Sequence, residues 1–194
     1  MLFRSGTNVA IAVLSTVTNA GPCGRSLAIT RTWQVTDACS NRASCSQTIT
    51  IVDTTPPTIT CAPNATVECS QPWAFTPPTA ADLCDGTNVA ITILSTVTNA
   101  GPCGRTLAIT RTWQAMDACS NRASCSQTIT IVDTTPPTLT CAPNATVECS
   151  QPWAFTPPTA ADLCDGTNVA LTILSTVTNA GPCGRSLAIT RTWQ

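Results

Sequence analysis

The sequence predicts an all-β fold built from tandem, disulfide-stapled repeats, and three observations carry that expectation. Apolar residues alternate with period two. The chain repeats itself with a period of 80 residues. It holds 13 cysteines and no histidine. Alternation marks half-buried strands, a long fixed period marks an array of domains, and cysteine density in small domains marks disulfides.

The alternation is clearest in the stretch TLAITRTWQAMDACSNRASCSQTITIVDTTPP, residues 106–137. Leu107, Ile109, Arg111, Trp113 and Ala115 share one face of a strand, and Ala108, Thr110, Thr112, Gln114 and Met116 the other. After the polar, turn-rich DACSNRASC, Gln127, Ile129 and Ile131 alternate with Thr128, Thr130 and Val132. Two such strands around a polar loop read as an antiparallel hairpin.

The repetition is nearly exact. Gly6–Asp85 and Gly86–Asp165 align without gaps and differ at six positions: 12/92, 13/93, 26/106, 35/115, 36/116 and 59/139. A third copy begins at Gly166. The domain frame follows the proline pairs in DTTPPT at 53–58 and 133–138, whose fixed φ makes a short, stiff connector. The frame therefore predicts the back of a repeat at 1–53, a complete repeat at 54–133 and the front of a repeat at 134–194. Within the complete repeat, short strands are expected at Ile59–Cys61, Ala65–Cys69 and Thr79–Leu83. A proline-rich crossing at 70–78 separates the second from the third. A long strand is expected at Asn88–Thr98, with Val89, Ile91, Ile93 and Val97 on one face, followed by the organising hairpin. Many short strands with turn signals between them suggest an immunoglobulin-like β-sandwich.

Composition narrows the class of function. Net charge is −1, only 10% of residues are charged, and all nine basic residues are arginine. Nothing here attracts nucleic acid or an anionic membrane, and no stretch reads as a membrane span. The opening MLFRSGTNVAIAVLSTVTNA has the look of a signal peptide, yet GTNVA and LSTVTNA recur internally from 86 and 166, so it reads as a strand of the repeat. An export signal would lie outside this window, and the chain reads as a fragment of something longer. With no His and no Lys most general bases are missing, so an enzyme is not expected. Lys–Asn isopeptide and dityrosine links are excluded for want of Lys and Tyr.

With no His and no closely spaced cysteine pair, the cysteines point to disulfides in an oxidising, extracellular setting rather than to zinc. Strand polarity suggests their partners. Cys61 and Cys125 belong near the entry pole of the sandwich, as do the loops carrying Cys84 and Cys119. Cys69 and Cys103 lie at the opposite pole. The expected bonds are Cys61–Cys125, Cys84–Cys119 and Cys69–Cys103, with Cys149–Cys183 repeating the last in the next copy. A local Cys119–Cys125 bridge is the rival. Cys23, Cys39, Cys45, Cys141 and Cys164 are left unpaired or interchain, with Cys141 to Cys45 and Cys164 to Cys39 of a neighbouring chain as the suggested links.

The stretch RTWQAMDACSNRASCSQTITIVDTTPPTLTCAPNATVEC, with the later DLCDG, resembles the hyalin-repeat (HYR-like) modules found in tandem on extracellular and bacterial surface proteins. The resemblance covers essentially the whole period. It implies an immunoglobulin-type fold and an adhesive or spacer role, and little about chemistry.

Other candidate sites have competing readings. Asn64-Ala65-Thr66 and Asn144-Ala145-Thr146 are N-glycosylation sequons, one per period, or chance triplets in a Thr-rich chain. The Thr/Pro clusters at 54–58 and 134–138 are O-glycan acceptors or bare linkers. Asp53 and Asp133 end a last strand, and Asp37 and Asp117 open the hairpin turn. Capping turn N–H groups is their expected role; Ca²⁺ at the junction is the other reading, thin at one carboxylate each. No cofactor is expected. Trp33, Trp113 and Trp193 belong to the core. Arg31, Arg111 and Arg191 share that face, stacked or paired, with Glu68 and Glu148 as candidate partners. Trp73 and Trp153 read as a lid over a sheet edge, or as a sugar platform.

Taken together, the residues favour a structural extracellular array: a fibre, stalk or surface filament whose partners are further copies of itself, head to tail. An adhesin or carbohydrate-binding surface module is the alternative. Near-identical copies favour the structural reading, because a specific ligand site needs only one copy.

Overall fold

A computed structural model describes residues 10–181 and 184–194. It contains thirteen strands among the described residues and no helix. No helix is therefore long and apolar enough to cross a membrane. The strands sort by period. The first three are β1 (Ala10–Ala20), β2 (Leu27–Thr36) and β3 (Arg42–Ile51). The next six are β4 (Thr58–Thr60), β5 (Ala65–Glu68), β6 (Thr79–Ala81), β7 (Ala90–Ala100), β8 (Leu107–Met116) and β9 (Arg122–Val132). The last four are β10 (Thr138–Thr140), β11 (Thr159–Ala161), β12 (Ile173–Ala180) and β13 (Leu187–Trp193).

Strands β4–β9 form two sheets, an antiparallel β4-β6 pair and a four-stranded sheet ordered β5-β9-β8-β7. β5 runs parallel to β9, Ala65 opposite Ile129 through Glu68 opposite Val132. The result is the expected immunoglobulin-like sandwich of antiparallel strands with one parallel edge. Copies of the same ladders recur as β1-β2-β3, β10-β11 and β12-β13. Ala145–Glu148, the copy of β5, forms no strand.

The expected strand faces are the observed ones in β8 and β9. Ile109, Trp113 and Ala115 are buried, as are Gln127, Ile129 and Ile131. A polar residue among these apolar ones needs partners. Gln127 has them: its Nε2 donates to the Pro63 carbonyl at 2.9 Å, and its Oε1 accepts from Thr76 N at 3.2 Å. On the other face hydroxyls pair across strands, Thr112 with Ser126 and Thr30 with Thr48, each at 2.9 Å. Such pairs, with β-branched side chains on a pleated surface, are what make a Thr-rich sequence a sheet.

The long strand β7 departs from its expected buried face. Ile91, Ile93, Leu94 and Val97 are all exposed, as are Val13, Leu14 and Val17 on its copy β1. β7 stands at the edge of its sheet, where one side has no neighbouring strand. In its copies β1 and β12 the register shifts between Val13 and Ser15 and between Ile173 and Ser175. A bulge of this kind turns successive side chains to different faces, so one apolar row is split between two.

The described chain forms two compact units. One takes in the chain up to Pro63 with Phe75–Thr96 and Thr110–Gln127. The other takes in Asn64–Ala74, Val97–Ile109 and Thr128–Gln194.

Candidate functional site

The chemistry of this chain is concentrated in its turns. The hairpin turn after β8 begins with Asp117, whose Oδ1 accepts from Cys119 N at 2.9 Å and Asn121 N at 2.8 Å. Its Oδ2 accepts from Asn121 Nδ2 at 2.9 Å. Asp37 makes the same three bonds one period earlier. Asp53 Oδ1 accepts from Thr55 N at 3.1 Å and Asp133 Oδ1 from Thr135 N at 3.3 Å. All four aspartates therefore cap turn N–H groups. The turn before β8 is closed by a hydroxyl: Thr106 Oγ1 donates to the Cys103 carbonyl at 2.7 Å, and Ser26 does the same at Cys23. Position 26/106 varies between copies only from Ser to Thr, which keeps that hydroxyl.

Among the described residues, three disulfides hold these turns. Cys61–Cys125 joins the end of β4 to β9, with Cα atoms 5.8 Å apart. The other two correct the expected pairing. Cys119 bonds Cys23 across 4.8 Å between Cα atoms, not Cys84. Cys69 bonds Cys164 across 5.7 Å, not Cys103. Cys23 and Cys164, expected to be unpaired or interchain, are thus bonded within the chain, which also removes the suggested Cys164–Cys39 link. Cys119–Cys125 is not formed. Cys39, Cys45, Cys103, Cys141 and Cys149 are free and exposed, and Cys84 is free and half-buried. The expected Cys149–Cys183 bond involves Cys183, which lies outside the described residues.

The physical reason is a junction effect. Strand polarity groups Cys84 with Cys119 at one pole and Cys69 with Cys103 at the other. Within a single repeat each cysteine would have to find its partner at its own pole. In tandem, the far-pole turns of one repeat meet the entry-pole turns of the next. Cys23 and Cys69 are far-pole cysteines, and Cys119 and Cys164 belong to the entry pole of the following period. Both bonds cross a period boundary.

The same junctions gather carboxylates that the sequence reading placed only one at a time. Asp53, Asp82 and Cys84 have ligand atoms within 4.8 Å of one another, and so do Asp133, Asp162 and Asp165. Oδ1 of Asp82 accepts from Cys84 N at 2.7 Å and Asp85 N at 3.0 Å, while Oδ2 is buried without a partner. The amide of Asp85 holds the Asp82 carboxyl below its usual value; burial opposes this, and the Cys84 amide adds to it. Burial pushes the Cys84 thiol up, and the neighbouring Asp53 and Asp82 charges add to that. Three carboxylates supply only part of the roughly six to eight oxygens that Ca²⁺ takes.

The remaining candidates are placed as follows. Asn64 is exposed and its Oδ1 accepts from Thr128 N at 2.8 Å, and Asn144 is exposed. Trp113 is 5% exposed and meets Phe75 edge-on at 5.8 Å. Trp33 and Trp193 are half-buried. Arg111 does not pair with Glu68: it stacks over Phe75, and Arg191 stacks over Phe155. Glu68 instead accepts from the hydroxyl and the amide of Thr134. Trp73 and Trp153 are 40% and 56% exposed.

The HYR domain family model matches residues 52–131. No curated protein matches the chain. Among solved structures, the chain is similar to PcdhgB3 EC1-4 at 14% identity and a TM-score of 0.38, over 90% of this chain and 55% of that one. It is similar to protocadherin gamma B2 extracellular cadherin domains 1-5 at 14% identity and a TM-score of 0.37, over 95% of this chain and 45% of that one. The chain thus spans about half the length of those solved chains. The sequence on both sides of the matched residues 52–131 repeats the same unit.

Proposed function

We propose that this chain is a stretch of an extracellular structural array, a fibre, stalk or surface filament in which HYR repeats follow one another head to tail. The observation that carries this is the pair of disulfides crossing period boundaries, Cys23–Cys119 and Cys69–Cys164. A module that served only to bind would gain nothing from being tied to its neighbour. A spacer under tension gains a covalent path that bypasses the Thr-Pro connector. Disulfides also favour an oxidising compartment, outside the cell or at its surface. N-glycans on the exposed Asn64 and Asn144 would suit the same setting. No catalytic role is part of this reading. Electron microscopy of the native material tests it: filaments are expected, and a uniform population of isolated particles would refute it.

A second reading, an adhesin or carbohydrate-binding module, draws on Trp73 and Trp153, two exposed indoles at the same place in successive periods. Aromatic faces of this kind suit sugar rings. Glycan-array binding that Trp73→Ala and Trp153→Ala abolish would favour it.

A further inference from the structure

We infer that a single rule governs every cysteine of the array: each of the three observed bonds recurs at every 80-residue step, so that two covalent staples cross each repeat junction and the free cysteines are sites for further copies of this same repeat. This rests on the array reading and specifies its chemistry.

The argument is a displacement. Moved forward by one period, the first members of the bonds Cys23–Cys119, Cys61–Cys125 and Cys69–Cys164 fall on Cys103, Cys141 and Cys149, and the second members fall past Gln194. Moved back by one period, the second members fall on Cys39, Cys45 and Cys84, and the first members fall before residue 1. Those six are the free cysteines of the described residues, neither more nor fewer. Repetition of the three bonds at every period therefore accounts for each free cysteine.

The surroundings of the free cysteines agree. A Cβ on Gly24, beside the bonded Cys23, would lie 3.0 Å from Asp85 Oδ1 and 3.2 Å from Ala118 Cβ. A Cβ on Gly104, beside the free Cys103, would lie 2.7 Å from Asp165 Oδ1. Both glycines have positive φ, 47° and 40°. The turn carrying Cys103 is thus seated against the following period as the turn carrying Cys23 is. Likewise Cys84 lies with Asp53 and Asp82, as the bonded Cys164 lies with Asp133. Cys84 has the setting of Cys164 without Cys69.

Each bond forms by oxidation of two thiols to a disulfide, releasing two protons and two electrons to a disulfide-exchange oxidant of the secretory or periplasmic kind. The partner is chemically defined: the same repeat, one period away, in the same polypeptide or in another chain that continues it.

The test extends the chain by one period, with a copy of residues 115–194 following Gln194, produced in an oxidising compartment and mapped by non-reducing peptide analysis. Cys103, Cys141 and Cys149 should be bonded to the added copies of Cys119, Cys125 and Cys164, and alkylation should no longer modify them. Bonds confined to one period, such as Cys84–Cys119 or Cys69–Cys103, would overturn the rule, as would added copies of Cys119, Cys125 or Cys164 that stay free. Should the extended chain not fold, the 194-residue chain gives its own answer. Alkylation before reduction should mark Cys39, Cys45, Cys84, Cys103, Cys141 and Cys149 and spare Cys23, Cys61, Cys69, Cys119, Cys125 and Cys164; protection of Cys84 with Cys119 would refute the rule. Micrographs without filaments would count against the array while leaving this mapping intact, so the two failures are distinguishable.

Discussion

The guanidinium of Arg111 lies 4.3 Å from the centroid of the Phe75 ring, and Phe75 in turn meets Trp113 edge-on with an interplanar angle of 82°. Arg111 Nε also donates to Thr96 Oγ1 at 3.0 Å, which fixes the plane of the stack. This is how a charged residue occupies the apolar face of β8 without a carboxylate: its charge rests on a π-face while its N–H groups reach outward. Phe75→Leu keeps most of the apolar volume and loses both ring contacts. The variant should lose about 1–2 kcal/mol, from an aromatic pair and a cation–π contact. The denaturant midpoint should fall without a change in slope, and near-ultraviolet circular dichroism should report the loss of the Trp113 contact.

Cys61→Ser with Cys125→Ser removes the bond within the complete repeat, which closes a sequence separation of 64. The double variant should lose about 2–5 kcal/mol. The comparison that matters is with Cys23→Ser plus Cys119→Ser, which spans a separation of 96. Loop-closure entropy alone makes the longer loop the more stabilising by only a few tenths of a kcal/mol, so the two losses should be similar. Thermal unfolding of both pairs under oxidising conditions checks this.

How much of this was legible in the sequence follows from what each feature depends on. The inward face of β8 and β9 is local, a matter of alternation, and Ile109, Trp113, Ala115, Gln127, Ile129 and Ile131 are where period two puts them. The capping by Asp37 and Asp117 is equally local. The Cys61–Cys125 bond joins two cysteines that strand polarity already groups at one pole of a single repeat. Cys119 and Cys69 could not be assigned that way. Copies of Cys23 and Cys103 are indistinguishable in sequence, so only the meeting of two repeats decides whether the far-pole turn bonds its own period or the next. Stacking of Arg111 was one of the two readings, but its partner Phe75 could not be named, because Phe75 belongs to a proline-rich crossing with no periodicity to aim its side chain.

Ser120 has φ of 69°, as its copy Ser40 has 68°. A non-glycine residue in the left-handed region costs roughly 1–2 kcal/mol. Ser120 is exposed, and its amide is held by the Asp117 carbonyl at 3.2 Å. Glycine there keeps that hydrogen bond and removes the clash. It also gains unfolded-state freedom, which offsets part of the benefit. Ser120→Gly should therefore raise stability by up to about 1 kcal/mol, seen as a higher melting temperature. A lower melting temperature would mean that the serine side chain contributes to the turn.

Acid should loosen the chain through its turn aspartates. The carboxyl of Asp82 is held below the usual aspartate value of 3.8 by the Asp85 amide, against burial and with help from the Cys84 amide. Asp162 repeats this through the Asp165 and Cys164 amides, and Asp37 through the Asn41 side chain and amide. A carboxylate whose folded pKa lies below its unfolded value contributes stability above the unfolded value. That contribution is lost as pH falls through the folded value, because the unfolded chain then binds the extra proton. Stability should therefore be level with respect to these groups above about pH 5 and decline once pH drops below 3.8. Asp82→Asn keeps an oxygen to accept from the Cys84 and Asp85 amides but cannot titrate. Its acid limb should be shallower than that of the parent, and it should also relieve the crowding of Asp82 against Asp53 at neutral pH. Chemical denaturation as a function of pH, parent against variant, measures both effects. An identical slope below pH 3.8 would show that the Asp82 turn does not contribute to acid unfolding.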